Sequence, residues 1–311
     1  MSKPIEDKLS KIPILNWIVK LGKQIKIFGF EGMSLYDLLE MYFIGIFKGT
    51  LTSRAGAISF SFFMAIFPFL LFVLNLIPFV TIENFHTDFI TTITSLLPTE
   101  TVSLFEGIIQ DIVLQPRGTL LYSTLILAMF LIANGVSAIF AGFENSYHVG
   151  INRNFIKQYL YSLGIGVLLA VLFIMTIIGI VYFEVLVVNN LNELGYISDS
   201  LFWISIGKNI FFILMIYLIT AILYYFGTVE GKKTKFFSPG ALLTTIMILL
   251  TTYLFKIYIT NFSQYNQLYG SLGALLILML YIWLNSIILL LGFELNASIN
   301  RLKLRHKIDK K

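Results

Sequence analysis

Six stretches of about twenty predominantly apolar residues run through the chain, and no other feature narrows its possible folds as far. They cover approximately residues 56–80, 119–141, 159–183, 201–226, 239–259 and 272–293. A helix rising about 1.5 Å per residue needs that length to cross about 30 Å of hydrocarbon. Apolarity within each run is continuous rather than alternating, which excludes the apolar-out, polar-in strands of a β-barrel. The expected fold is therefore all-α: a polytopic membrane protein of six transmembrane helices. Composition agrees, since 57% of the 311 residues are hydrophobic and 13% are charged, against about 25% charged in an average soluble domain.

The basic residues orient these runs, because Lys and Arg are retained on the cytoplasmic side and acids count little. Eight lie in the segment to Arg54, two in 142–158, three in 227–238 and six after Glu294, so nineteen of the 22 fall on one side. The opposite loops hold only Arg117, while 80–118 carries five acids and 184–200 carries three. Both termini are expected in the cytoplasm. The net charge of +5 is then a topology signal, with anionic lipid head groups as its counter-charge, and gives no reason to expect nucleic acid. No signal-peptide core is visible in the first 33 residues, so the first run is expected to target the chain.

Three regions follow: a basic N-terminal region at 1–54, a six-helix transmembrane domain at 55–297 and a basic tail at 298–311. Within the first, Leu35, Leu38, Leu39, Tyr42, Phe43, Ile46 and Phe47 form the stripe of an amphipathic helix over 34–50. Ser34 with Asp37 three residues on resembles a capping box. That helix is expected on the inner leaflet or against the bundle. Residues 81–118 carry the pattern of two short amphipathic helices broken by Pro98, an expected outer cap.

Chemistry is sparse. The chain has no cysteine, which excludes disulfides and thiol catalysis, and the expected topology separates His86 from His148 and His306. Neither a phosphate-binding loop nor a serine nucleophile elbow is present: "SIGKN" has Gly207 and Lys208 but Phe202 where the leading glycine would stand. No metal, cofactor or catalytic residue is expected, and no enzyme.

Polar residues inside the apolar runs are more informative, since they are costly in hydrocarbon and mark function or helix contact. Lys208 and Lys256 lie about two turns and one turn inside the expected outer ends of the fourth and fifth runs. They snorkel to the interface or hold an anionic head group. Lys48 and Arg54 read as anchors at the inner surface. Asn75, Asn134 and Asn285 stand at different depths as interhelical glue or as the lining of a polar cavity. Glu144, Glu184 and Glu294 all fall near ends, so the titrating acid at depth that a proton-coupled carrier commonly uses is missing. Pro68 removes a hydrogen bond to the carbonyl of Met64, and a kink there is expected to open a cavity or act as a hinge.

The blocks "RAGAISFSFFMAIFPFLL" at 54–71, "GFENSYHV" at 142–149, "FSPGALL" at 237–243 and "YNQLYGSLGALLILMLYIWLNSIILLLGFELNA" at 265–297 together resemble the YihY/BrkB family of bacterial inner-membrane proteins. The resemblance covers about residues 35–300. It matches the family's motif positions at Phe67 and Pro68, Asn145, Pro239, Gly240 and Ala241, Tyr269 and Gly270, and Gly292, Glu294 and Asn296. Ala65 stands where the family pattern has a serine, which puts any role for that hydroxyl in doubt. The resemblance implies six helices with cytoplasmic termini. It also brings a ribonuclease label, widely regarded as a misassignment, and the sequence lacks the clustered acids or histidines a nuclease needs. Other members are associated with serum resistance and with movement of lipid or lipopolysaccharide precursors. The expected function is therefore binding and translocating or handing over an amphiphilic lipid or envelope precursor, with Pro68, Asn75, Asn134, Lys208, Lys256 and Asn285 lining the site. The alternatives are a non-transporting scaffold that docks an envelope protein partner, and a solute exporter. An oligomer is compatible with each.

Overall fold

The computed structural model describes residues 22–25, 34–36, 50–76, 91, 102, 118–144, 155–188, 190–191, 200–228, 236–261 and 272–308. Most of the expected amphipathic helix at 34–50 and of the outer cap at 81–118 lies outside the described residues, as do Asn145, Tyr269 and Gly270.

Six helices carry the fold: α1 (Thr50–Leu76), α2 (Gly118–Glu144), α3 (Phe155–Tyr182), α4 (Ser200–Gly227), α5 (Pro239–Asn261) and α6 (Leu272–Ile308). Each is long and apolar enough to cross a membrane, so the protein is a multi-pass, all-helical membrane protein. Large side chains such as Leu201, Ile126 and Tyr122 are exposed on the bundle surface, where hydrocarbon rather than water suits them.

Each helix packs on its sequence neighbours, and α6 closes on α1, so the six form a ring in chain order. The helices alternate in direction. One end of the ring, here called proximal, is where α1, α3 and α5 begin and α2, α4 and α6 leave the bundle. The main apolar cluster sits there and draws on all six helices, including Ile58, Phe143, Ile165, Leu223, Ala241 and Leu290. A separate cluster in the distal half joins Phe255 and Ile259 of α5 to Ile277 of α6. Also in that half, the Phe69 ring of α1 meets Phe173 of α3 across the ring of helices, with centroids 5.5 Å apart.

The expected spans and the helices differ mainly at their ends. Helix α6 runs 37 residues, about 55 Å at about 1.5 Å per residue, and continues past the expected end of the sixth run at 293 to Ile308. Helix α3 continues as a π-helical segment over Phe183–Val188. Pro68 is buried, and α1 remains a single helix across it. Periodicity in an all-apolar run cannot show where a helix stops, because no polar face marks the end.

Candidate functional site

The start of α5 shows how the proximal end is assembled. Ser238 sits at the N-cap, Pro239 at the first helical position, where a missing N–H costs nothing, and the Ser238 hydroxyl accepts from the Ala241 N–H at 3.3 Å. The Gly240 N–H is satisfied from another helix: it donates to Asn296 Oδ1 of α6 at 2.8 Å, and Asn296 Nδ2 donates to Ser238 Oγ at 2.8 Å. One buried amide thus caps α5 and ties it to α6. The two backbones come close enough that a Cβ on Gly240 would strike the Gly292 carbonyl, and a Cβ on Gly292 would strike Thr244 Oγ1 and Tyr224 Oη. Glycine is required at both positions by this approach.

A step deeper, the Tyr224 hydroxyl of α4 donates to the Leu289 carbonyl of α6 at 2.7 Å, which leaves it to accept from the Thr244 hydroxyl of α5 at 2.6 Å. The Tyr224 ring lies edge-on to Phe143 of α2, and Phe143 stacks on Phe293 with centroids 4.1 Å apart. Toward the helix ends, Arg54 of α1 donates to the Gly142 carbonyl of α2 at 2.8 Å and pairs with Glu294 of α6 at 3.3 Å. The carbonyls at the end of α2 lack intrahelical donors, so Arg54 supplies a cap as well as a charge. Its side chain and that of Glu294 are each 13% exposed. Less than two turns of α6, from Leu289 to Asn296, therefore bond to α1, α4 and α5 and stack on α2.

A second polar group lies in the distal half, between α3 and α4. Glu184 lies in the π-helical segment that continues α3, next to Phe183, whose ring meets Phe211 of α4. The Phe183 ring fills the space where a Cβ on Gly207 would stand, so the π-helical turn packs this side chain directly on the α4 backbone. The next residue on each strand of this contact forms an ion pair, Lys208 Nζ to Glu184 Oε2 at 3.3 Å, with side chains 27% and 25% exposed. Ser205 and Asn209 of α4, beside Lys208, are exposed on the bundle surface.

The expected lining residues are not gathered into one site. Asn75 is buried and its Nδ2 donates to Leu71 of its own helix at 2.6 Å; Asn285 Nδ2 donates to Tyr281 of its own helix at 2.8 Å. The Oδ1 atoms of both are buried with no partner among the described residues. Asn134 is exposed on α2, and Lys256 is exposed on α5. Phe67 is half-buried one residue before Pro68, in edge contact with Phe63 at 5.2 Å. The motif residues Pro239, Gly240, Gly292, Glu294 and Asn296, by contrast, converge at the proximal end with Arg54. Arg54, expected as a surface anchor, is turned inward onto protein partners.

Sequence reasoning passed over Tyr224, Thr244 and Asn209, and it did not pair Glu184 with Lys208. Tyr and Thr within an apolar run give no signal of their own. Glu184 and Lys208 did carry one: they stand at similar depths on consecutive antiparallel helices. Among the described residues no three His, Asp or Glu side chains are placed to hold a metal ion.

The pattern described as Virulence factor BrkB matches residues 46–311. That span takes in every helix of the ring and all of the proximal network. The chain belongs to the BrkB family. A protein of Bacillus subtilis (strain 168), named putative ribonuclease-like protein YfkH, is similar at 27% identity over 260 residues, covering 81% of this chain and 90% of that one. A UPF0761 membrane protein of Xanthomonas oryzae pv. oryzae (strain PXO99A) is 43% identical over 60 residues, which is 19% of this chain and 14% of the relative. One from Xanthomonas axonopodis pv. citri (strain 306) is 42% identical over 62 residues, 20% of this chain and 15% of the relative. Likeness to these two relatives therefore rests on a short block. No solved structure matches. For this BrkB-family chain, the ribonuclease-like wording describes the Bacillus protein, and the membrane wording agrees with six spanning helices.

Proposed function

We infer that the protein binds an amphiphilic lipid or envelope precursor at the distal half of its bundle and moves it or hands it over. The supporting observation is the polar patch of Lys208, Glu184, Ser205 and Asn209, set into an otherwise apolar, lipid-facing wall. Ionisable side chains are costly in a spanning helix, and where they occur they mark a ligand or ion site more often than simple packing. Lys256, exposed on α5 in the same half, adds a second cation at membrane depth. The orientation read from the basic residues puts this half toward the outside of the inner membrane and both termini in the cytoplasm.

The proximal plug favours a second reading. With Phe143, Phe293 and Tyr224 filling the ring where all six helices meet, the bundle also suits a non-transporting scaffold that docks an envelope protein. Mass spectrometry of lipids retained in native membrane discs separates the two. Enrichment of one lipid class over bulk membrane, lost in a Lys208→Met, Lys256→Met double variant, is the expected result. Retained lipids that match the bulk membrane would replace it with the scaffold.

A further inference from the structure

An isolated lysine at membrane depth would select an anionic head group, but Lys208 is not isolated. Glu184 takes one of its three N–H donors and cancels its charge, at 3.3 Å. Both side chains are about a quarter exposed, so the pair can be reached from the bundle surface. Leu201, Ser205 and Lys208 share one stripe of α4 at seven- and three-residue spacings, and Leu201 and Ser205 are exposed along it. Tyr182, two residues before Glu184, and Trp203, five residues before Lys208 near the start of α4, are also exposed. Exposed Tyr and Trp of spanning helices gather near the membrane interface, and their presence here agrees with an ion pair toward the outer end of α4, within reach of the head groups.

A neutral pair of opposite charges at that level matches a ligand that is itself a neutral pair of opposite charges. We propose that the Lys208–Glu184 pair is a binding site for the zwitterionic phosphoethanolamine head group of a phospholipid, with phosphate on Lys208 and the lipid ammonium on Glu184. Lys208 keeps two donors for phosphate oxygens, and Glu184 keeps lone pairs for a primary ammonium, so neither must give up the other. The exposed Asn209 amide lies beside Lys208 as a further polar contact. An anionic glycerol head group would meet the Glu184 carboxylate as a like charge. A choline head group carries no N–H to donate to it.

The proposal rests on the lipid-binding reading above, and the test separates the two. The full chain is reconstituted in discs holding equal phosphatidylethanolamine, phosphatidylglycerol and phosphatidylcholine, and the lipids that stay bound on extraction are quantified. Wild type is expected to enrich phosphatidylethanolamine about two- to fivefold, the ratio that one partly exposed ion pair supports. Glu184→Gln is expected to move the preference to phosphatidylglycerol, and Lys208→Met to abolish enrichment. The exchanged Lys208→Glu, Glu184→Lys variant keeps a neutral pair and is expected to retain phosphatidylethanolamine, which guards against loss by misfolding. Enrichment of phosphatidylglycerol by wild type, or of phosphatidylethanolamine unchanged in both single variants, would overturn the head-group assignment and leave lipid binding standing. Equal retention of all three lipids by wild type would remove lipid binding and the assignment together.

Discussion

At the proximal end Arg54, Tyr224, Thr244 and Asn296 bond to other helices, whereas Asn75, Thr176 and Asn285, nearer the distal end, bond back to carbonyls of their own helix. Both kinds of bond satisfy a polar group in a place without water. Only the first fixes one helix against another. Among the described residues, Thr252 with Tyr281 and Lys208 with Glu184 cross between helices in the distal half, and each of these contacts joins a neighbouring pair. The proximal end is thus tied by polar contacts among several helices, while the polar contacts of the distal half join neighbouring pairs and its charged pair is partly exposed on the bundle surface.

Substitutions test this contrast most strongly at Arg54. Arg54→Ala breaks the ion pair with Glu294, 13% exposed, and frees the Gly142 carbonyl, so a loss of about 3 kcal/mol is expected in reversible unfolding from lipid bicelles. Glu294→Gln in the same background should recover part of it, because a charge that has lost its Arg54 partner is gone. Next is Gly292→Ala, whose added methyl has no space between Thr244 and Tyr224; about 2 kcal/mol is expected. Tyr224→Phe deletes two hydrogen bonds without changing shape, and about 1 kcal/mol is expected from the usual strength of such bonds in membranes. The smallest effect belongs to the distal half: Thr252→Val should change stability by about 0.6 kcal/mol or less. A distal variant as damaging as Gly292→Ala would erase the distinction between the ends.

These contacts also show what a sequence of this kind makes legible. The spans are plain because hydrocarbon thickness imposes a length, and all six emerge from counting apolar residues. The proximal site was half visible: Pro239, Gly240, Gly292, Glu294 and Asn296 stand out as motif residues, yet nothing in their spacing says that position 240 touches 292 and 296. Such contacts join distant parts of the chain, and helical periodicity reports only on faces within one helix. Arg54 was read as an anchor because its partner is 240 residues away. Similar depth on consecutive helices makes a Glu184–Lys208 pair possible in the sequence, but the π-helical turn that carries Glu184 leaves no mark in an apolar run. Asn75, Asn134 and Asn285 stand at different depths already in the sequence; what the fold adds is that the Asn75 and Asn285 amides donate to their own helices and Asn134 is exposed on α2.

The absence of native cysteine permits a direct measurement of the contrast. Spin labels on Cys introduced at the exposed positions Ser53 and Leu242 report on the proximal end, and labels at Tyr122 and Leu201 on the distal half. Pulsed dipolar distances would be compared in discs with and without phosphatidylethanolamine. The expected result is a narrow proximal distribution that the lipid leaves unchanged, beside a broader distal distribution that it shifts or sharpens. A proximal distribution as broad as the distal one, or as responsive to the lipid, would contradict a tied end and a lipid-handling half.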